Sequence, residues 1–142
     1  MSFVVDISSV EPRIQDFPDG VYEATITNPR LDVSKKGNPV INMDLVIYHP
    51  NLGEAVVKDS LPSAFPRKVR AFWMAFNDLT AEEIAGQQTV EIENPSDLEG
   101  GQILVQLGTQ ENKETGRTYK SIVAPWYYPL SRAADLLGGS DA

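Results

Sequence analysis

The side chains that could carry acid–base or metal chemistry in this chain are one histidine and twenty carboxylates. His49 stands in a His-Pro-Asn turn, where we expect a surface turn residue rather than a catalytic base. Glu82, Glu83, Glu91 and Glu93 lie close in sequence and carry the oxygen ligands that divalent metals prefer. No ligand-dense loop surrounds them, so a solvated acidic surface is the favoured interpretation. A metal-dependent nuclease accessory site is the weaker alternative.

Sequence motifs for nucleophilic or cofactor-dependent catalysis are absent. The chain contains no GxSxG elbow, P-loop, HExxH helix or dinucleotide fingerprint. It also contains no cysteine, which excludes a thiol nucleophile, a disulfide framework and a cysteine zinc site. We therefore predict a protein that is not an enzyme and that needs no cofactor and no metal.

Cationic and aromatic side chains on loops and strand faces indicate another chemistry, the binding of single-stranded nucleic acid. Such binding combines cations that contact the phosphate backbone with rings that stack on bases, each stack contributing about 1–3 kcal/mol. The candidate cations are Lys35, Lys36, Lys58, Lys113, Arg117 and Lys120. The candidate rings are Tyr22, Tyr48, Tyr119, Trp126, Tyr127 and Tyr128. Solvated hairpin tips also carry lysine and glycine, and from the residues alone this alternative has equal weight.

The charge of the chain is unevenly distributed along the sequence. The formal net charge is −8, which argues against coating of duplex DNA by bulk charge. Residues 30–70 nevertheless hold seven basic and four acidic residues, a balance of +3, against −11 for the remainder. A basic patch on an acidic body is one interpretation of these sums, and dispersed surface charge is the other.

The elements that must position these residues follow from the hydrophobic pattern. Period-two alternation predicts strands, most clearly at 40–48, where Ile41, Met43, Leu45 and Ile47 share one face. The predicted strands are 21–27 with an extension at 30–33, 40–48, 54–61, 102–108 and 118–124. Tyr22 falls on the apolar side of the first strand and is assigned to the core. The two hairpin loops that result, near residues 34–39 and 111–117, carry most of the candidate cations.

A helical pattern separates the third strand from the fourth. Proline suits the first turn of this helix, and Pro66 stands there. A capping box at Thr80–Glu83 predicts a second helical turn, which Gly86 ends. The apolar stripe assigned to the core consists of Phe65, Val69, Phe72, Trp73 and Phe76.

Three strands, a helix and a two-stranded hairpin are the element order of an OB-fold. We therefore predict a mainly β fold, a five-stranded Greek-key barrel with a helix between strands 3 and 4, whose two hairpin loops flank the ligand face. Residues 1–129 form this single domain with a short N-terminal arm, and residues 130–142 form a flexible tail. The chain shows no signal peptide and no apolar stretch long enough to span a membrane, so we expect a cytoplasmic protein.

Five short segments, in this order, resemble a known family. They are 18–24 (PDGVYEA), 34–39 (SKKGNP), the Phe72-Trp73 pair, 98–105 (LEGGQILV) and 113–119 (KETGRTY). The family comprises OB-fold single-stranded DNA-binding proteins of bacteriophage replication and recombination. The resemblance implies location in the cytoplasm of an infected host cell and single-stranded DNA as ligand. It further implies that the binding residues are Lys35, Lys36, Asn38, Lys113, Arg117, Tyr119 and Lys120.

A protein-interaction module is the rival interpretation of the same chain. Such a module would be a phage structural or host-takeover factor, and it would bind a protein without binding oligonucleotides. Replication and recombination proteins of phage or host, and a second copy of the chain, are further candidate partners. An exposed edge strand is one feature that could pair two copies.

Overall fold

Five antiparallel strands form one sheet in the computed structural model, which describes residues 2–6 and 13–137. The strands are β1 (Gly20–Val33), β2 (Pro39–His49), β3 (Gly53–Pro62), β4 (Gln102–Glu111) and β5 (Thr118–Tyr128). The α-helices are α1 (Pro66–Asn77), α2 (Ala81–Ala85) and α3 (Ala133–Leu136), and short 3-10 turns lie at Ile14–Asp16, Pro95–Leu98 and Leu130–Arg132. The predicted succession of three strands, a helix and two strands is confirmed.

The sheet is open in its backbone pairing. Its hydrogen-bonded order is β3-β2-β1-β4-β5. Within the described residues no backbone ladder joins β3 to β5, the two strands at the ends of this order. The mainly β prediction is therefore confirmed, whereas the closure of the sheet into a Greek-key barrel is not established by the pairing.

Strand β1 is one continuous strand, whereas the sequence predicted a strand at 21–27 and a separate extension at 30–33. It continues through Asn28 and Pro29 to Val33, with a register irregularity between Thr27 and Arg30. Asn28 adopts φ 49°, a left-handed conformation that asparagine tolerates better than most residues. Its backbone N–H donates to Glu99 Oε1 at 3.0 Å, so a bulge replaces the expected break.

The inner face of the sheet, defined as the face that packs on the core, matches the alternation read from the sequence. Ile41, Met43, Leu45 and Ile47 are all buried, as predicted for β2. Tyr22 of β1 is buried with them, and its hydroxyl donates to the Pro18 carbonyl at 2.6 Å. The remaining buried apolar residues of this core include Ala24, Ile26, Val57, Leu61, Ile103, Val105, Leu107 and Ile122.

Helix α1 covers the inner face with a narrower stripe than predicted. It begins at Pro66, and Phe72 and Ala75 are its fully buried residues. Phe65 was assigned to the core, but it is 45% exposed, so that assignment is wrong. The reason is its position before the first helical turn, where its ring makes a T-shaped contact with Trp126 at 5.3 Å between ring centroids.

The short helix α2 has the capping box predicted for it. The Thr80 side chain accepts from the Glu83 backbone N–H at 3.2 Å, and Glu83 Oε1 accepts from the Thr80 backbone N–H at 3.0 Å. These bonds hold the pKa of Glu83 below its ordinary value. Two orphan backbone donors of the helix start are thereby satisfied.

Side chains connect β3 and β5, the two strands between which the described residues form no backbone ladder. We call this boundary between β3 and β5 the seam. The Tyr127 hydroxyl of β5 donates to Asp59 Oδ2 of β3, and Lys68 Nζ of α1 lies 2.7 Å from Asp59 Oδ1. Only 5% of the Asp59 side chain and 12% of the Lys68 side chain is exposed. The Tyr127 ring is buried and makes a T-shaped contact with the Phe72 ring. One carboxylate thus joins three elements at the seam.

Tyr127→Phe is expected to change how the free energy of unfolding depends on pH. Burial, and then the nearby negative charge of Asp59, raise the pKa of Tyr127 well above its ordinary value. Folding therefore keeps this hydroxyl protonated at pH values where the unfolded chain ionises it, so above about pH 10 the fold loses stability by up to about 1.4 kcal/mol per pH unit. In urea unfolding, the gap in unfolding free energy between wild type and variant should stay constant below about pH 9 and shift in favour of the variant above about pH 10. A gap that also stays constant above about pH 10 would contradict this assignment.

The two terminal segments lie outside the sheet. Residues 2–6 of the predicted arm are exposed, and residues 130–137 of the predicted tail form short helical turns. Ser131 Oγ donates to Asp78 Oδ1 at 2.9 Å, which ties the start of this segment to the end of α1. The rest of the predicted tail, 138–142, lies outside the described residues. None of the described helices is long and apolar enough to cross a membrane.

Candidate nucleic-acid interface

The first hairpin loop, residues 34–38, presents two lysines on a turn held by backbone hydrogen bonds. The Ser34 N–H donates to the Asn38 carbonyl at 2.8 Å, and the Gly37 N–H donates to the Ser34 carbonyl at 2.9 Å. Gly37 takes φ 85°, which a side-chain-bearing residue adopts only with strain. Lys35 and Lys36 are exposed, and no ion pair found among the described residues includes either of them.

Asn38 is placed differently from the two lysines beside it. It is half-buried, and its backbone N–H donates to Ser34 Oγ at 3.1 Å. The residue that the resemblance assigns to binding therefore also closes the first hairpin loop.

The last hairpin loop, residues 112–117, is built around one asparagine. Asn112 Oδ1 accepts from the Glu114 N–H at 2.9 Å, while the Gly116 N–H donates to the Asn112 carbonyl at 2.7 Å. Lys113 and Arg117 are exposed on this loop. In the described part of the chain, neither forms an ion pair. Both hairpin loops thus offer cations to solvent.

Strand parity divides the remaining candidates between the two faces of the sheet. Tyr48 and Lys58 alternate with buried residues, so they lie on the outer face, which is opposite the core. Tyr119 lies on that face too, three positions before the buried Ile122. Tyr48 is 57% exposed and Tyr119 is 43% exposed. These two rings are accessible to a ligand.

Lys120 lies on the inner face, where it is bonded to other side chains of the chain. Its Nζ lies 2.6 Å from Asp19 Oδ1 and 2.9 Å from Thr109 Oγ1, and only 15% of its side chain is exposed. The hydrogen bond from Lys120 lowers the pKa of the Asp19 carboxyl. This lysine fastens the start of β1 to the last hairpin, and the structure does not bring it together with Tyr119.

The two hairpin loops stand at opposite ends of β1. The first follows the C-terminal end of the strand, at the Val33↔Pro39 pair. The second extends beyond its N-terminal end, because β4 is paired with β1 only as far as Gly20↔Leu107 and then continues to Glu111. The span of β1 is about 40 Å along the strand. A ligand that contacts both loops must therefore be extended.

The outer face between the loops carries charges of both signs. Lys58 stands opposite Asp44 in the β2–β3 register, and Asp44 Oδ1 lies 3.7 Å from Arg30 Nη1. Tyr48 stands opposite Glu54 and lines an open groove of about 910 Å³. Other residues around this groove include Asp19, Glu23, Val46, His49, Leu136 and Leu137. The part of the face around Tyr48 is therefore acidic. Nearer the first hairpin loop, Arg30 and Lys58 are balanced by Asp32 and Asp44, and the loop itself adds Lys35 and Lys36.

The three aromatic residues near the C-terminal end of β5 are occupied by contacts within the chain. Tyr127 is buried at the seam, which contradicts its assignment as a stacking ring. Trp126 packs on Phe65. The Tyr128 hydroxyl donates to Gln106 Oε1 at 3.2 Å, and the Arg132 guanidinium lies 5.6 Å from its ring centroid. Tyr48 and Tyr119 remain as the accessible rings among the candidates.

The residues considered for acid–base or metal chemistry are not assembled into a site. His49 Nδ1 accepts the backbone N–H groups of Asn51 at 3.0 Å and Leu52 at 3.2 Å, and its ring contacts Phe17 and Tyr22. His49 therefore orders the β2–β3 turn. Among the described residues, no three histidine, aspartate or glutamate side chains form a group that could hold a metal ion.

Comparison with known proteins supplies no functional assignment. No protein-family model matches the chain, and no curated protein matches it. The functional argument therefore rests on the position, exposure and charge of the residues described above.

Proposed function

We propose that the chain is a non-enzymatic, sequence-tolerant single-stranded DNA-binding protein of bacteriophage replication or recombination. The observation that carries this proposal is the position of the exposed cations. Lys35 and Lys36 stand beyond one end of β1, and Lys113 and Arg117 beyond the other. Between them lies a sheet face with accessible rings. Cations that track a backbone and rings that accept bases are the two parts such binding requires.

The acidic groove around Tyr48 is compatible with one orientation of the bound DNA strand. Glu23 and Glu54 repel phosphate, so the backbone is held by the hairpin loops and the bases turn toward the groove. Carboxylates accept hydrogen bonds from the amino groups of bases, and the Tyr48 ring offers a stacking surface. In this arrangement Lys58 contacts the phosphate that lies nearest the first hairpin loop.

Closure of the sheet into an OB-fold barrel belongs to the same proposal. The Asp59–Tyr127 hydrogen bond supports it, because it holds β3 and β5 together where a barrel would close. The strand order, with β1 between β2 and β4, also agrees with that fold. Membership of the phage OB-fold family rests on the sequence resemblance and on this topology.

Binding to a labelled thirty-nucleotide oligo-dT is expected to be strong at low salt and to weaken steadily as salt rises. Single strands lose about 0.7 log units of affinity per phosphate contact for each tenfold increase in salt. The four loop cations and Lys58, each on one phosphate, predict a slope near −3.5. Fluorescence anisotropy over a salt series measures this slope, and the matched duplex should bind far more weakly.

The absence of oligo-dT binding at micromolar protein and low salt would refute the proposed function. Equal affinity for the duplex would refute single-strand selectivity. Salt-independent association with a protein, without oligonucleotide binding, would instead favour the interaction module.

A further inference from the structure

Three consecutive apolar side chains in the N-terminal arm are uncovered in the structure. Phe3 is 95% exposed, Val4 is 84% exposed and Val5 is 60% exposed. Each of these side chains would be stabilised by transfer out of water. Contiguous exposed apolar residues of this kind are typical of a segment that packs on another surface.

An uncovered apolar surface lies at the C-terminal end of β1. Leu31 and Val33 are 65% and 64% exposed, although Leu31 pairs with the buried Ile41 of the inner face. Leu31 lines the smaller of two adjacent clefts, whose volumes are about 160 and 300 Å³. Ser63, Val69 and Val90 line both clefts, so the two form one continuous groove.

The strand edge next to this groove is unpaired. The β1–β4 ladder ends at Thr25↔Gln102, whereas the β1–β2 ladder continues to Val33↔Pro39. Within the described residues, the last part of β1 therefore has a strand on one side only. An edge of this kind can accept an added strand from another chain.

We propose that residues 2–6 of one copy dock in this groove on a second copy, and that the exchange is reciprocal and forms a dimer. In an extended segment, alternate side chains share a face about 6.8 Å apart, so Phe3 and Val5 would enter the two clefts together. The smaller cleft is close to the roughly 150 Å³ that accommodates a benzene ring. Phe3 does not occupy the groove of its own chain, since it is almost fully exposed.

Charge supports a second copy as the occupant. Residues 1–12 contain Asp6 and Glu11 and no lysine or arginine, whereas the charged side chain among the described residues that line the groove is Arg70. Arg70 lines the larger cleft directly. When each arm of a pair docks in the other copy's groove about a two-fold axis, no arm and no groove of the pair is left free, so this reciprocal exchange closes at two subunits.

Sedimentation velocity from micromolar to about 100 μM protein tests this proposal without nucleic acid, so its result is independent of the proposed function. The wild type is expected to dimerise, and Phe3→Asp and Val90→Asp are each expected to weaken the dimer at least about tenfold. Val56→Asp, at a half-exposed apolar position on the outer face, is the matched control and should dimerise like wild type. A monomeric wild type, or wild-type dimerisation by Phe3→Asp, would overturn the proposal.

Disulfide trapping then distinguishes exchange between copies from docking within one chain. The chain has no cysteine, so Phe3→Cys combined with Val90→Cys introduces the only two thiols. The proposal predicts a product of twice the monomer mass on a non-reducing gel after mild oxidation. An intramolecular disulfide, or thiols that remain free, would overturn it.

Discussion

The double variant Lys35→Glu/Lys36→Glu is expected to bind oligo-dT at least about 25-fold more weakly than wild type at about 0.1 M salt. Two lost phosphate contacts remove about 1.4 log units of affinity at that salt concentration, and charge reversal adds repulsion. Both side chains are exposed, and the loop is held by backbone bonds that the substitutions leave in place. Anisotropy should therefore show weaker binding and a salt slope smaller by about 1.4, while the unfolding midpoint stays that of wild type.

A second double variant controls for the overall change in charge. Arg13→Glu/Arg67→Glu alters the net charge by the same amount, but Arg13 precedes β1 and Arg67 is exposed on α1, which covers the inner face. Screening at moderate salt limits the effect of such distant charges on binding, so we expect the affinity for oligo-dT to fall by less than about threefold. Equal losses in the two variants would mean that bulk charge, and not the first hairpin loop, drives binding.

The parts of the fold that the sequence predicted well depend on local patterns. The alternation in β2 and the capping box at Thr80–Glu83 involve residues a few positions apart, and both appear as predicted. The two hairpin loops were predictable for the same reason, because turn residues such as Gly37 and Gly116 act within four or five residues. Their exposed lysines and arginine follow directly from the loop positions.

The parts that the sequence did not reveal depend on contacts between distant residues. Lys120 is grouped with the binding cations by its place in the sequence, yet it is held by Asp19, 101 positions away. Tyr127 is grouped with the stacking rings, but its partner Asp59 is 68 positions away. No periodicity shows such pairs, because a strand pattern specifies which face a residue occupies and not what it meets there.

One signal for the seam was nevertheless present in the sequence. Along β3 the positions that face the core are Ala55, Val57, Asp59 and Leu61. An aspartate therefore stands at a core-facing position, where the alternation leads one to expect an apolar residue. A carboxylate at a core-facing position requires a cation or several hydrogen-bond donors, since an unpaired buried charge is strongly unfavourable. The anomaly therefore predicts that Asp59 has partners, although it does not identify them as Lys68 and Tyr127.

Asp59→Ala is expected to lower the free energy of unfolding by about 3 kcal/mol, the lower end of the range for breaking a buried ion pair. The substitution leaves the Lys68 ammonium and the Tyr127 hydroxyl without their acceptor in a region that is largely closed to solvent. The lower end applies because 12% of the Lys68 side chain is exposed, which lets its charge reach water. In a domain of this size the melting temperature should fall by about 6–12 °C.

Asp44→Ala is the matched control, because it removes the same side chain from the neighbouring strand β2. Asp44 lies on the outer face with 22% of its side chain exposed; its Oδ1 is buried, lies 3.7 Å from Arg30 Nη1 and accepts no hydrogen bond from the described residues. Partly exposed pairs of this kind contribute less than about 1 kcal/mol, so the control should unfold near the wild-type midpoint. If thermal and urea unfolding showed the same loss of unfolding free energy for both variants, the contacts of Asp59 would not be the interaction that holds β3 to β5. A selective loss at Asp59 would mean that one carboxylate stabilises the seam where backbone pairing is missing.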